Sequence, residues 1–192
     1  MKIACYSFIL LGFILFQACS KHDVGAQKIK TLDSLGGSVN SMVKELERTD
    51  TVLLQKYLAR FSYYTQFISE NVHDTISKEQ ADNLRHFYDG GRHLEAYSHN
   101  RRIIIKRARL VNSQLLKLSA DLREHNDPEA FSKFIFLEKE EASRLTEAGL
   151  QQQQKFHSGM EEFKNSLRGV EDLIKSRNRG ELPTIIKDTI VL

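Results

Sequence analysis

Apolar residues recur every three or four positions along three long stretches of the chain, which is the spacing of one face of an α-helix. The stretches cover about residues 27–72, 78–125 and 128–178. The apolar positions expected to form the core include Leu32, Val39, Leu46, Phe61, Tyr64, Phe87, Leu94, Leu115, Phe131, Phe134, Phe163 and Val170. This pattern predicts an all-α protein with long helices.

Local signals mark the ends of these predicted helices. Ser77 and Gln80 form a capping box at the start of the second helix. Asp127 before Pro128 is a favoured start for the third, and Gly180 suits the C′ position after its end. Helices of similar length joined by short connections alternate in direction.

We therefore predict an elongated antiparallel three-helix bundle over residues 27–178. The weak points of the first helix are Gly36-Gly37 and Thr49-Asp50. If the first helix breaks near Asp50, that residue becomes the N-cap of a separate segment and the bundle has four helices.

The antiparallel arrangement also predicts which residues face each other. Residue numbers of facing positions add up to about 151 across the first connection and about 253 across the second. Asp50, Arg101 and Gln152 would then meet as a structural polar layer that fixes the register of the bundle. The alternatives are a functional pocket at this level, or exposure of these side chains to solvent.

Two adjacent glycines interrupt the second predicted helix. Gly90 and Gly91 lie at the level of Phe61, Tyr64 and Phe163 in the predicted register. Because glycine costs up to about 1 kcal/mol relative to alanine inside a helix, its presence there needs a compensating role. We expect the glycines to leave room for the aromatic rings, the alternative being a kink in the helix.

The composition is consistent with long helices, and the charge restricts which classes of partner molecule are expected. The chain has two prolines in 192 residues and a net charge of +3 from 28 basic and 25 acidic side chains. This near balance disfavours nucleic acid as a partner. A candidate patch for an anionic surface lies on the second helix at Arg102, Lys106, Arg107 and Arg109. The alternative is a solvated face that neighbouring carboxylates neutralise.

The N-terminus has the features of an export signal. Lys2 precedes an uncharged run over residues 3–16. At 1.5 Å per residue this run spans roughly 21 Å, which is shorter than the ~30 Å hydrocarbon core of a bilayer. A secretory signal peptide therefore fits better than a transmembrane helix.

The residues that follow, Phe16-Gln17-Ala18-Cys19, resemble the lipobox of bacterial lipoproteins. The resemblance implies that residues 1–18 are removed and that Cys19 carries acyl chains such as palmitate, which anchor the protein in a membrane. Ser20 after the cysteine resembles lipoproteins sent to the outer membrane. The alternatives are a plain signal peptide with an incidental cysteine, or an uncleaved anchor.

Residues 19–26 would then be the lipidated cysteine and a polar tether, and residues 179–192 a C-terminal tail. The last ten residues, 183–192, are apolar and β-prone, in contrast to the rest of the chain. This tail is expected to fold back on the bundle, to add to a partner's sheet edge, or to stay disordered.

No sequence motif of an active site or a metal site stands out. The chain lacks a phosphate-binding loop, a nucleophile elbow and a zinc-protease motif. It has a single Glu70-x-x-His73, whereas a di-iron bundle requires two such motifs and two further glutamates. We expect no enzyme activity, no metal and no cofactor. The interpretation is a non-enzymatic lipoprotein of the bacterial cell envelope that presents a helical rod to another envelope protein. The alternative is a small-molecule or metal-binding bundle in the envelope.

Overall fold

The computed structural model describes the backbone of residues 3–125, 127 and 129–183, and side chains from Val24 onward within that part. Four α-helices and no strand occur in these residues: α1 (Ile3–Glu47), α2 (Thr51–Asn71), α3 (Lys78–His125) and α4 (Ser132–Arg177). The all-α prediction is confirmed. The side chain of Cys19, the whole of Pro128 and most of the C-terminal tail lie outside the described part.

The first predicted helix is divided in two, so the three-helix count is corrected to four. The chain leaves α1 at Glu47 and enters α2 at Thr51. Asp50 between them has φ −66° and ψ 97°, and its side chain accepts the backbone N–H of Leu53 at 2.9 Å. This is the N-cap arrangement that satisfies a free donor at a helix start.

The helix α3 begins where its capping signal predicts, whereas α4 begins later than its signal predicts. The capping box is confirmed, since Ser77 Oγ accepts the Gln80 N–H and Gln80 Oε1 accepts the Ser77 N–H. Asp127 Oδ1 accepts the N–H groups of Glu129 and Ala130. These bonds close a turn, so α4 begins at Ser132, four residues later than predicted.

The contacts divide the chain into two compact units. The first unit contains Met1–Lys44 and Ile104–Ala148, and the second contains Glu45–Ile103 and Gly149–Leu192. Both α3 and α4 therefore contribute to both units. The backbone of residues 20–26, expected as a tether, belongs to α1.

In the first unit, α1 packs on α3 and α4 around an aliphatic core. Core side chains with at most 2% of their surface exposed are Leu32, Val39, Ala108, Leu115, Leu122 and Ala142. Asp33 ties α1 to α3, because it accepts hydrogen bonds from Ser119 Oγ at 2.9 Å and from Arg123 at 2.8 Å. Lys28 Nζ donates to Ser132 Oγ at 2.9 Å and so joins α1 to the start of α4.

The second unit is built around aromatic rings. The Phe87 ring centroid lies 5.4 Å from that of Phe61 and 4.9 Å from that of Phe163. Tyr64 is buried beside Phe87 and donates its hydroxyl to Glu171 Oε1 at 3.0 Å. Burial, followed by the nearby Glu171 carboxylate, raises the pKa of Tyr64 to about 12.

The two adjacent glycines have the packing role expected of them. A Cβ on Gly91 would lie 2.2 Å from the Phe61 ring, and one on Gly90 would lie 2.7 Å from the backbone nitrogen of Phe163. The helix α3 continues through both positions. Only a residue without a side chain therefore lets the ring of Phe61 and the backbone of α4 come this close.

Candidate functional site

Asp50, Arg101 and Gln152, predicted to form a polar layer, each bond to a different partner in the structure. Asp50 is exposed and caps α2, whereas Arg101 donates its Nε–H to the Leu46 carbonyl at 2.7 Å. Gln152 is buried, and its Oε1 lies 3.5 Å from Asn100 Nδ2. The break before α2 explains the difference, because it redirects Asp50 to the free N–H groups of a helix start.

The predicted register between α3 and α4 nevertheless holds in the second unit. Gly90 lies against Phe163, and the rings of Tyr97 and Phe156 pack at a tilt with 4.6 Å between their centroids. The residue numbers of both pairs add up to about 253, as antiparallel helices with a short connection require.

Of the four basic residues predicted as an anionic-surface patch, Arg107 has an acidic partner in the structure. In the first unit, Arg107 forms an ion pair with Glu141, which also binds Arg144 at 2.7 Å. Arg102, Lys106 and Arg109 are exposed on α3. The Glu141 carboxylate neutralises part of the charge that the sequence places on this helix.

A polar cleft of about 390 Å³ lies between α3 and α4 in the second unit. Every side chain that lines it is polar: Asn83, His86, Ser158, Glu161, Glu162, Asn165 and Ser166. Glycines keep the helices close beside it. A Cβ on Gly169 would lie 2.3 Å from Asn83 Nδ2, and one on Gly159 would lie 2.6 Å from His93 Cβ.

At the wall of the cleft, Glu162 faces a histidine of the other helix. His93 Nδ1 lies 3.7 Å from Glu162 Oε2, and neither buried atom has a hydrogen-bond partner among the described residues. The pair becomes an ion pair when His93 is protonated. The predicted register between α3 and α4 was the signal that could have found this pair, because the residue numbers of His93 and Glu162 add up to about 253.

The cleft offers amide, hydroxyl, imidazole and carboxylate groups at a solvent-facing surface. Such a set binds polar or cationic groups through directed hydrogen bonds. Among the residues with described side chains, no group of three or more His, Cys, Asp or Glu is placed to hold a metal ion.

A second notable surface lies at the start of α4, in the first unit. The sequence pattern placed Phe134 in the core, but Phe134, Phe136 and Leu137 are 58%, 59% and 49% exposed, whereas Ile135 is buried. Because each residue turns by about 100° around an α-helix, Phe134 and Phe136 lie on opposite flanks of the exposed face and Leu137 lies between them. Exposed single leucines are ordinary, but these three side chains together form a local apolar patch on that face.

No helix in the part of the chain with described side chains is long and apolar enough to cross a membrane. No protein-family model, no curated protein and no solved structure matches the chain significantly.

Proposed function

We propose that the protein is a non-enzymatic, lipid-anchored protein of the bacterial cell envelope, and that its helical domain binds another envelope protein. The observation that carries the binding role is the polar cleft of the second unit. Its exposed carboxylate of Glu161 and amide of Asn165 suit a polar or basic segment of a protein.

The anchor rests on the N-terminal sequence. Ala18-Cys19 after an uncharged run resembles a lipobox, and acylation of Cys19 would hold the protein at a membrane. Ser20 favours the outer membrane as its location. Two or three acyl chains give firm attachment, whereas one gives only marginal attachment.

The anchor is tested by metabolic labelling with palmitate in a bacterial host. The wild-type chain and a Cys5→Ala variant should both incorporate label, because Cys5 belongs to the segment that is removed. A Cys19→Ala variant should lose the label and either leave the membrane fraction or persist as the longer precursor. Unchanged labelling of the Cys19→Ala variant would rule out the lipoprotein assignment.

The binding role is tested by photo-crosslinking in intact cells. A photoreactive amino acid at Glu161 or Asn165 should give one discrete crosslinked protein band, because both side chains border the cleft. The matched control is Glu95, which is exposed in the second unit and does not line the cleft. Equal crosslinking from all three positions, or from none, would argue against the cleft as the contact.

A small-molecule binder is the second candidate, because the cleft volume falls within the range of about 300–1,000 Å³ found for ligand sites. Ligand sites are, however, lined mostly by hydrophobic and aromatic side chains, whereas every residue that lines this cleft has a polar or charged side chain. Native mass spectrometry of protein purified without added ligand discriminates between the two. A stoichiometric adduct that disappears in an Asn83→Leu variant would favour the small molecule over the protein partner.

A further inference from the structure

The first two turns of α4 present apolar side chains in two directions. Ile135 is buried, so one face of the helix belongs to the core of the first unit. Phe134, Phe136 and Leu137 lie on the remaining circumference and are about half exposed or more. Leaving this much aromatic surface in water is unfavourable, so a partner that removes it from water stabilises the protein.

This apolar patch lies close to the anchor along the structure. Lys28 Nζ donates to Ser132 Oγ at 2.9 Å, so the start of α4 is in contact with α1 at residue 28. The backbone of α1 is helical from Ile3 to Glu47. Nine residues separate Lys28 from Cys19, which is about 14 Å at 1.5 Å per residue.

We propose that Phe134, Phe136 and Leu137 insert into the interface of the lipid bilayer in which Cys19 is anchored. This inference rests on the acylation of Cys19 in the proposed function. The acyl chains would hold the start of α4 within reach of the lipid surface, which raises the effective concentration of lipid at the patch. Phenylalanine and leucine side chains of surface-bound helices lie at the boundary between headgroups and acyl chains.

The charges beside the patch indicate which lipids it needs. Lys133 and Lys139 are matched by Glu138 and Glu140, so this stretch of α4 carries no net charge. Insertion is therefore driven by apolar contact, and it requires no anionic lipid. A contact made instead by the basic residues of α3 would need anionic lipid and would weaken with salt.

The chain contains no tryptophan, so a single introduced tryptophan reports on its own surroundings. The test uses the acylated mature protein with Phe136→Trp, reconstituted into vesicles of phosphatidylcholine with and without brominated acyl chains. The matched control is Leu150→Trp, at a position on the same helix that is 54% exposed and belongs to the second unit. Palmitate labelling establishes acylation of each variant.

With acylation present, we expect the emission of the Phe136→Trp variant to shift to shorter wavelength and to be quenched by brominated lipid. Quenching should persist when salt is raised from about 0.1 M to about 1 M, because screening weakens charge contacts and leaves apolar ones. The Leu150→Trp variant should emit as an exposed indole. A Phe134→Ser substitution added to Phe136→Trp should reduce the quenching.

Three results overturn the inference, and they separate it from the proposed function. An acylated Phe136→Trp variant without shift or quenching refutes membrane insertion and leaves the anchor intact. An emission shift in native membranes, without quenching in lipid vesicles, means that a protein covers the patch instead. Absence of palmitate refutes the anchor and the inference together.

Discussion

At the C-terminal end of α4, Arg179 adopts a left-handed backbone conformation with φ 53°, and Gly180 follows with φ 90°. The Gly180 N–H donates to the Lys175 carbonyl at 2.9 Å, which is the six-to-one bond of a Schellman motif. The C′ position is therefore occupied by Arg179, one residue before the predicted Gly180. The preference of the C′ position for glycine favoured Gly180. The helix ends at Arg177, however, so the left-handed residue lies one position earlier, at Arg179.

An Arg179→Gly substitution should stabilise the protein by about 1 kcal/mol, because glycine adopts a left-handed conformation without the steric cost that arginine incurs. Urea unfolding of the two proteins measures the difference. A Gly180→Ala substitution should act in the opposite direction, since its φ is also positive. Stabilisation by Gly180→Ala would show that the turn is formed differently.

Glu138 in the first unit is a carboxylate that opposes folding when it is ionised. Burial, followed by the charge of Glu141, raises the pKa of Glu138, and its buried Oε2 has no hydrogen-bond partner among the described residues. Because the pKa is higher in the folded state than in the unfolded state, the penalty is present at neutral pH. It disappears as the pH falls below the unfolded-state pKa.

A Glu138→Gln substitution should therefore stabilise the protein at pH 7 by less than about 1 kcal/mol, since solvent screens a partly exposed group. The difference should vanish near about pH 3, where the carboxylate is protonated in both states. Urea unfolding at the two pH values provides the measurement, with exposed Glu140→Gln as the control. A stabilisation that is the same at both pH values would mean that charge is not its cause.

At the scale of the helices, local signals predicted most helix ends but did not decide whether the first predicted helix breaks at Asp50. The apolar spacing resumes in the same helical period after Thr49-Asp50, so periodicity favoured a continuous helix, whereas Asp50 favoured a new helix start. The structure resolves this in favour of the cap. The continuous helix from which the polar layer was predicted is therefore absent, although Arg101 still binds the end of α1 through the Leu46 carbonyl.

Asp50→Ala should lower the free energy of unfolding by about 1 kcal/mol, because the N-cap of α2 is lost. Arg101→Met should lower it by about 1–2 kcal/mol, because the Leu46 carbonyl loses a charged hydrogen-bond donor. The two side chains have different partners, so their costs should add to within about 0.5 kcal/mol in the double variant. Chemical unfolding of the three variants tests this, with exposed Arg102→Met as the control. Recovery of stability in the double variant would instead indicate the polar layer.

The close approach of α3 and α4 depends on glycine residues at the contact between the two helices. A Cβ on Gly90 would lie 2.7 Å from the Phe163 nitrogen and 2.8 Å from the Gly159 carbonyl oxygen, both of which are backbone atoms. Gly90→Ala should therefore cost about 1–3 kcal/mol, because the helices have to move apart. Thermal unfolding measures the change.

Gly37 is the matched control for this prediction. It also lies inside a long helix, but a Cβ there would meet no atom within 4 Å. Gly37→Ala should therefore stabilise the protein by up to about 1 kcal/mol through helix propensity alone. If both alanine variants change stability in the same direction, the close contact at Gly90 does not govern the packing.

For the molecule as a whole, the sequence predicted the fold class and the α3–α4 register, because periodicity and caps are local signals that repeat over many residues. It did not predict the polar cleft or the pairing of His93 with Glu162. Both depend on which polar side chains face each other across α3 and α4, and the apolar periodicity alone does not reveal this. The cleft therefore entered the functional proposal only from the structure.

Every boundary between the two units falls inside a helix. The boundaries at Lys44–Glu45, Ile103–Ile104 and Ala148–Gly149 all fall within α1, α3 or α4. A helix segment released from its packing keeps little stability of its own. Loss of one unit would therefore remove support from helices that continue into the other, and we expect the full chain to unfold in one transition.

Two matched substitutions test this coupling. Leu115 in the first unit and Leu173 in the second are both 1% exposed, so Leu115→Ala and Leu173→Ala should each cost about 2–5 kcal/mol. Each should shift one shared urea transition, followed by far-ultraviolet circular dichroism, whereas Leu110→Ala at a 62% exposed position should shift it little. Two separate transitions, of which each core variant moves only one, would show that the units unfold independently despite the helices they share.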